Sequence, residues 1–400
     1  MSDLYALVIG ASIDSIYAIN EAKKMEFTVI AFDGNAQAEG LKYADISIVI
    51  DITKPELIID KLSELNIKPD IILPVPIGKM LNTIGILNDH YNLTGATYKN
   101  ADICTDKYNF HNLLFNNGLR QIKCELLKQN DNSININDFQ FNYPVIFKPR
   151  YGSGSRSVYL INNKIELVDI VNKYLPLKED FIVEEFVDGT EYGVDGAVID
   201  GKFNFVLLRE KILTSYPYRQ CIGYFSIFEN NIIFNEINCY LSKVIKSLNL
   251  NNVLLHADII YNNKNIFIVE IAPRPSGHYL HNIFVPIVTG VNMINEFINF
   301  AVPSIRQNYS FIPKYNNCML IKYFDFENCN ILKVPDNDFL MNKYPLINFE
   351  YNNVNRVMER VIDGQSIMKR GYFILEGKNK TELEYFSKNI LNEFVIENVS

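Results

Sequence analysis

The sequence predicts a mixed α/β and α+β protein, with a doubly wound parallel α/β domain at its start and a small α+β domain at its end. Three patterns support this fold class. Strand-like apolar runs alternate with helical stretches over roughly the first hundred residues, hairpin patterns fill the middle of the chain, and further strand-like runs precede a terminal helix. We expect four segments, with bounds 1–104, 105–187, 188–305 and 306–400.

The composition indicates a globular chain with a large core. Of the 400 residues, 48% are hydrophobic and 21% are charged, and the formal net charge is −8. This acidic balance disfavours a broad nucleic-acid surface. No apolar run approaches the roughly 18 to 20 residues of a membrane-spanning helix, and the start lacks a targeting pattern. We therefore expect a cytoplasmic protein without nucleic-acid or membrane partners. The six cysteines form no CxxC pair, which disfavours a zinc knuckle.

The first hundred residues are predicted to form a βαβ unit followed by two further strands. The strand-like runs are Leu4–Gly10, Phe27–Asp33, Ile46–Ile50 and Asp70–Pro74, with helices ending near Lys24 and spanning Pro55–Leu65. Gly10 and Asp33 end successive strands, as in a nicotinamide-dinucleotide site. That site needs further glycines after the first strand, and residues 11–15 contain none. A dinucleotide site is therefore disfavoured.

A lysine followed by a Gly/Ser loop comes next. We predict a helix from Ala101 to Leu126 and a polar surface loop from Asn130 to Asn142. The run 144–149 reads as a strand with Lys148 near its end, and a hairpin with a Gly/Ser tip at 151–157 returns as a strand at 158–161. The Lys148 ammonium and the small residues of the loop suit a phosphate group. A surface hairpin would have the same pattern, so it is the alternative. The spacing is not that of a P-loop.

Carboxylates then appear at strand positions. An apolar run from Phe181 leads into Glu184 and Glu185, and Glu191 follows after a turn. Because successive strand residues face opposite sides, one of the adjacent acids is expected to face a cleft. A solvated strand end is the alternative.

The hairpin pattern at 254–272 gives the sharpest local inference. Pairing its two strands about the turn Asn262–Asn265 sets Asp258 nearly opposite Glu270. Opposed like charges destabilise a sheet by up to about 1 kcal/mol, so a compensating partner is expected. Mg²⁺ suits two converging carboxylates. Salt-bridged acids or a register shifted by one residue remain the alternative.

The segment after Glu270 is a rigid turn with a guanidinium. Arg274 lies between two prolines, and its planar fork suits an oxyanion or a phosphate. His278 and His281 have the spacing of a helical metal pair, but no third ligand is evident. A substrate or phosphate contact is the favoured role for His278.

Taken in order, these motifs resemble the ATP-grasp superfamily over residues 1–305. The start resembles the preATP-grasp domain, Thr105-Asp106-Lys107 and Phe147-Lys148-Pro149 resemble the two phosphate-lysine motifs, and the loop at 152–156 resembles the glycine-rich loop over the triphosphate. The resemblance implies ATP and Mg²⁺, with Mn²⁺ as an alternative, as cofactors.

The resemblance also implies roles for individual residues. Glu184 takes the adenine amino group, Glu191 holds the ribose, and Asp258 and Glu270 bind the metal. The nucleotide contacts implied are Lys107, Lys148, Gly152, Ser153, Gly154, Ser155, Glu184, Glu185, Phe186, Val187, Glu191 and His256. The catalytic residues implied are Arg274, Lys148, Lys211 and Arg209. The substrate contacts implied are Arg219, Ser276, Gly277 and His278.

The implied reaction activates a small carboxylate as an acyl phosphate for attack by an amine. Many members have asparagine as a further metal ligand where this chain has Ala272, which resembles the Glu-Ile-Ala-Pro-Arg-Pro run of carboxyaminoimidazole ribonucleotide synthetases. Carboxylation through carboxyphosphate is therefore one alternative, and a non-catalytic ATP-binding module is another. Residues 306–400 are expected to close the substrate pocket or to form a homodimer interface.

Overall fold

The computed structural model describes residues 4–129, 140–152, 154, 157–215, 219–228, 232–263, 265–305, 308–352, 357–361 and 364–398. The polar loop predicted at 130–142 lies mostly outside these residues. Within them, no single helix has the length and apolar composition needed to cross a membrane. Two helical segments joined at a bend, Leu280–Thr289 and Met293–Ala301, meet both criteria only when they are counted together.

A parallel sheet with helices on both faces opens the chain. Its elements are β1 (Tyr5–Ile9), α1 (Ile16–Lys24), β2 (Thr28–Asp33), β3 (Ile46–Val49), α2 (Pro55–Glu64), β4 (Ile71–Ile72) and α3 (Leu81–Tyr91). The strand order is β3-β2-β1-β4. Along β1, Ala6 and Val8 pack with α1, whereas Leu7 and Ile9 pack with α2 and α3. This alternation buries both faces of the sheet, as predicted for a doubly wound domain.

A second, antiparallel sheet follows in the order β5-β8-β6-β7. The elements of this region are α4 (Tyr98–Thr105), α5 (Lys107–Asn116), β5 (Cys124–Leu127), β6 (Val145–Pro149), β7 (Tyr159–Ile161), α6 (Lys164–Tyr174) and β8 (Phe181–Glu185). The single helix predicted from Ala101 to Leu126 was wrong. The helix breaks because the Asp106 side chain caps α5 by accepting a hydrogen bond from the Asn109 N–H at 3.1 Å, and β5 pairs instead with β8.

The third layer is an eight-stranded antiparallel sheet that positions the candidate site. Its first part comprises β9 (Thr190–Ile199), β10 (Lys202–Leu213), β11 (Cys221–Ile227), α7 (Ile232–Leu248), β12 (Val253–Asn262), β13 (Asn265–Ala272), α8 (Val285–Thr289) and α9 (Met293–Ala301). Leu255 and Ala257 of β12 face α7 and its apolar core. The residues between them and beyond, His256 and Asp258, therefore face the opposite side of the sheet.

The C-terminal part continues the same sheet. Its elements are β14 (Met319–Tyr323), β15 (Cys329–Lys333), α10 (Asn337–Lys343), β16 (Leu346–Tyr351), β17 (Val357–Met358), α11 (Gly364–Met368), β18 (Gly371–Glu376), α12 (Lys380–Asn392) and β19 (Val395–Asn398). The sheet order is β13-β12-β9-β10-β11-β14-β18-β16, so hydrogen bonding runs across the expected boundary at residue 305. Strands β17, β15 and β19 form a separate small sheet.

Candidate active site

A cavity of about 450 Å³ lies where the parallel domain, the second sheet and the eight-stranded sheet meet. This volume is typical of a small-molecule site. The cavity brings together residues from both ends of the chain, from Asp14 to Met368. Ser153 and Ser155 lie outside the described residues. All other residues that the sequence assigned to the site line the cavity except Arg209, namely Lys107, Lys148, Gly152, Gly154, Glu184, Glu185, Phe186, Val187, Glu191, Lys211, Arg219, His256, Asp258, Glu270, Arg274, Ser276, Gly277 and His278.

The two acids of the β12–β13 hairpin converge on the cavity. Asp258 and Glu270 are direct register partners, as predicted, and a shift in pairing follows immediately after them. Ligand atoms of these acids and of His256 all lie within 4.8 Å of one another. One oxygen of Asp258, Oδ1, is buried without a hydrogen-bond partner. This donor set and this unsatisfied oxygen fit a divalent cation.

Lys211 forms an ion pair with Asp258. Its Nζ lies 2.7 Å from Asp258 Oδ2 and 3.8 Å from Glu191 Oε2. Burial alone would raise the pKa of Asp258, but Lys211 and His256 outweigh it and hold that pKa below its usual range. Burial likewise favours neutral Lys211, but Asp258 and Glu191 outweigh it and raise its pKa. Both groups are therefore charged at neutral pH.

Lys148 extends into the cavity from the end of β6. It forms an ion pair with Glu184, which also accepts from Arg120 Nη2 at 2.6 Å and lies 2.9 Å from His111 Nδ1. Burial would raise the pKa of Glu184, but Lys148, His111 and Arg120 together lower it well below its usual value. Glu184, which the resemblance assigns to the adenine amino group, thus uses both oxygens within the protein. Arg120 and His111 belong to no sequence motif, so local sequence patterns do not reveal them.

Lys107 and the glycine-rich loop meet on the same wall. Lys107 begins α5, and its Nζ donates to the Gly152 carbonyl at 2.7 Å. Gly152 and Gly154 have φ values of 142° and 70°, a region that residues with a Cβ rarely adopt. Asp106 secures the entry to this loop by accepting from Arg150 Nε at 2.8 Å. Two lysines and a glycine-rich backbone therefore face one part of the cavity.

The opposite end of the cavity combines an acid, a guanidinium and an imidazole. Arg274 is half-buried, and the loss of solvent around it lowers the pKa of its guanidinium. Asp14 lies in a 3₁₀ turn after β1 and lines the cavity, and the described residues include no hydrogen-bond or ion-pair partner for it. His278 has a φ of 60°, and its carbonyl accepts from Tyr323 Oη at 2.6 Å. A Cβ at Gly364 would lie 2.9 Å from the His278 ring, so α11 packs against this end of the site.

Sequence reasoning missed Asp14 and α11. The residues after Gly10 were considered only as a dinucleotide site, which they disfavour. Nothing in their pattern indicates that Asp14 faces a cavity. Nothing in residues 364–368 has the form of a motif. Both contributions arise only when distant segments meet.

Arg209 corrects one catalytic assignment. Its side chain is 0% exposed, donates from Nε to Asp195 Oδ2 at 2.7 Å and lies 4.6 Å from the centre of the Tyr224 ring. It does not line the cavity, because neighbouring side chains cover it, and it is therefore not placed to touch a substrate. The sequence disfavoured His278 and His281 as a metal pair. No cluster of three potential ligands among the described residues contains His278 or His281, and His281 Nδ1 lies 2.5 Å from the Ser276 carbonyl.

Comparison with known proteins identifies the fold family. Residues 141–282 match the family model for an ATP-grasp domain. The chain is 25% identical over 230 residues to the carbamoyl phosphate synthase large chain of Thermoanaerobacter pseudethanolicus, an alignment that covers 55% of this chain and 20% of that protein. This chain thus spans about a fifth of the length of that relative.

Solved structures share the fold over the whole chain. The L-amino acid ligase from Bacillus licheniformis has a TM-score of 0.79 at 15% identity, covering 100% of this chain and 99% of that one. N5-carboxyaminoimidazole synthetase from Staphylococcus aureus, complexed with ADP, has a TM-score of 0.74 at 16% identity, covering 97% of each chain. These comparisons show that residues 141–282 match an ATP-grasp domain and that the chain shares its overall fold with these two enzymes.

Proposed function

We propose that the protein is an ATP-dependent ligase that activates a small carboxylate as an acyl phosphate and transfers the acyl group to an amine. The observation that supports this most strongly is that Asp258 and Glu270 share one cavity with Lys107 and Lys148. Paired acids suit a metal-bound triphosphate, and the lysines neutralise phosphate charge.

In this proposal the nucleotide lies between the second sheet and β12–β13. The backbone of residues 185–187 reads the adenine, Glu191 holds the ribose, and Lys107 and Lys148 hold the phosphates. Asp258 and Glu270 hold Mg²⁺ or Mn²⁺, which when bound neutralises phosphate charge. Lys148 is already fixed by its ion pair with Glu184, so it contributes charge at a defined position.

The proposed chemistry has two steps. A carboxylate oxygen attacks the γ-phosphorus of ATP, the bond from phosphorus to the β,γ-bridging oxygen breaks, and ADP leaves. The amine nitrogen then attacks the acyl carbon, phosphate leaves, and the nitrogen loses a proton. Arg274 and Lys211 stabilise the transferred charge, and the loop beginning at Gly152 limits hydrolysis by excluding water.

A screen for nucleotide turnover tests this function. ADP and phosphate release should be measured with ATP and Mg²⁺ over amino acids, bicarbonate and purine precursors. We expect release only when a carboxylate and an amine are both supplied, and its loss in Glu270→Gln. ATP binding without release under any substrate pair would support the non-catalytic ATP-binding module instead.

A second candidate function is carboxylation of a purine ribonucleotide through carboxyphosphate. The Glu270–Pro275 run resembles that of carboxyaminoimidazole ribonucleotide synthetases, and a synthetase of this kind has a similar fold. Asp14 favours the amine ligase, because its carboxyl lines the Arg274 end of the cavity without a hydrogen-bond partner among the described residues and can accept a hydrogen bond from an amine. Burial raises the pKa of Asp14, and the Arg274 guanidinium partly offsets this effect. The acceptor proposed is therefore an amine.

Replacing Asp14 by asparagine tests this choice. We expect the KM for the amine found in the screen to rise by about 10- to 100-fold, because a charge-assisted hydrogen bond contributes about 1.5–3 kcal/mol. The KM for ATP should stay unchanged. An unaltered KM for the amine would remove Asp14 from the acceptor site, and a gain of activity with a phosphorylated acceptor would favour the second function.

A further inference from the structure

The hairpin that holds the two metal acids has a third potential ligand. His256 is two residues before Asp258 on β12, and its register partner on β13 is Ala272. Residues two apart on a strand share a face, so these four positions form a square that opens on the cavity. Asp258 and Glu270 occupy one side of the square, and His256 and Ala272 occupy the other.

Ala272 leaves room at its corner of this square. Its methyl group offers no ligand atom and takes little space, whereas the imidazole of His256 faces it from the neighbouring strand. The ligand atoms of His256, Asp258 and Glu270 lie within 4.8 Å of one another. His256 therefore lies next to Ala272, the position at which the strand pair has no metal-ligand atom.

The hydrogen bonding of His256 indicates which ring nitrogen is available. Its Nδ1 lies 3.2 Å from the Val194 carbonyl, which can only accept, and 3.5 Å from Arg209 Nη2, which can only donate. We assign the proton to Nδ1 because the contact with the carbonyl is the shorter of the two. That bond leaves the Nε2 lone pair facing Asp258 Oδ1 at 3.6 Å, too far for a hydrogen bond between them. Metal-binding histidines are usually oriented in this way, with the second nitrogen donating to a carbonyl.

The oxygen that faces this nitrogen is also unsatisfied. Asp258 Oδ1 is buried and has no hydrogen-bond partner, while Oδ2 is paired with Lys211. A buried carboxylate oxygen and an imidazole lone pair that face one another are stabilised by a cation between them. Within the part of the chain described, no cationic side chain lies between Asp258 Oδ1 and His256 Nε2.

We propose that Nε2 of His256 is a third protein ligand to the metal, beside Asp258 and Glu270, and that it shifts the preference of the site from Mg²⁺ toward Mn²⁺ and Co²⁺. Imidazole nitrogen favours metals later in the Irving–Williams order, whereas Mg²⁺ favours a shell of oxygen atoms alone. The inference rests on the metal–nucleotide site of the proposed function and adds a ligand and a selectivity to it.

Electron spin-echo spectroscopy of Mn²⁺ bound with ADP tests the ligand directly. The full-length protein should be uniformly labelled with nitrogen-15 and mixed with unlabelled ADP, so that protein and nucleotide nitrogens give different modulation. We expect a nitrogen-15 coupling typical of directly bound imidazole, and its loss in His256→Gln. His90→Gln, a change of an exposed histidine, is the matched control and should keep the coupling.

Metal titrations in the presence of ADP provide the second readout. Loss of this ligand in His256→Gln should weaken Mn²⁺ binding by at least about tenfold. The amide oxygen of glutamine should leave Mg²⁺ binding closer to its original strength, so the Mn²⁺ to Mg²⁺ affinity ratio falls. An unchanged ratio would overturn the proposal.

The outcomes separate this inference from the function on which it rests. Mn²⁺–ADP binding without any protein nitrogen coupling would refute His256 as a ligand and leave the ligase proposal intact. Failure of the wild-type protein to bind Mn²⁺–ADP would refute both.

Discussion

Glu270→Gln is expected to lower the rate of ADP formation by about a thousandfold or more, which corresponds to about 4 kcal/mol of transition-state stabilisation. The change keeps the shape of the side chain but removes a negative charge from the pair that faces the cavity with Asp258. Initial rates of ADP release at saturating ATP and Mg²⁺ give the measurement.

The control for this variant lies in the same sheet. Glu210 on β10 is paired with Lys380 at 2.5 Å on the protein surface and does not line the cavity. Glu210→Gln should therefore retain nearly full turnover and the same unfolding temperature. Equal turnover in wild type and Glu270→Gln would remove the metal assignment.

Arg209→Met is expected to reduce the free energy of unfolding by about 3–5 kcal/mol, the largest stability effect of any change proposed for this protein. Arg209 and Asp195 are both 0% exposed and are joined by a 2.7 Å ion pair. Removing the guanidinium leaves the Asp195 carboxylate buried without a compensating charge. Because the chain has no tryptophan, urea unfolding should be followed by circular dichroism.

A second substitution separates a structural role from a catalytic one. Arg209→Met combined with Asp195→Leu replaces the ion pair by apolar groups, and we expect it to recover at least half of the lost stability. Turnover measured at low temperature should recover with it. A loss of turnover in Arg209→Met without a change in unfolding would instead restore Arg209 as a group that acts on the substrate.

Local patterns were enough to predict the parts of the site that lie on one hairpin or one turn. The turn at 262–265 fixes the register of β12 and β13, and this register sets Asp258 opposite Glu270. The strand–loop–strand pattern around Lys148 likewise predicted the pairing of β6 with β7. In both cases the partners are close in the chain, so strand periodicity alone determines the contact.

Contacts between distant segments could not be predicted in this way. Arg120 is 64 residues from Glu184, and it reaches Glu184 because β5, which follows it, pairs with β8. Arg209 has the alternation of a strand residue that faces a pocket, but Tyr224 and Asp195 cover it in the folded chain. The break at Asp106 was missed because its capping side chain is a polar residue within an otherwise helical pattern.

Oxygen-18 transfer tests the central claim, that a carboxylate is activated by phosphorylation. The carboxylate identified in the turnover screen should be labelled in both oxygens, and the phosphate released from ATP analysed by mass spectrometry. The mechanism predicts one oxygen-18 atom in each phosphate formed with the ligated product, because the oxygen that attacks the γ-phosphorus leaves with it. Product formation accompanied by unlabelled phosphate would contradict an acyl phosphate intermediate.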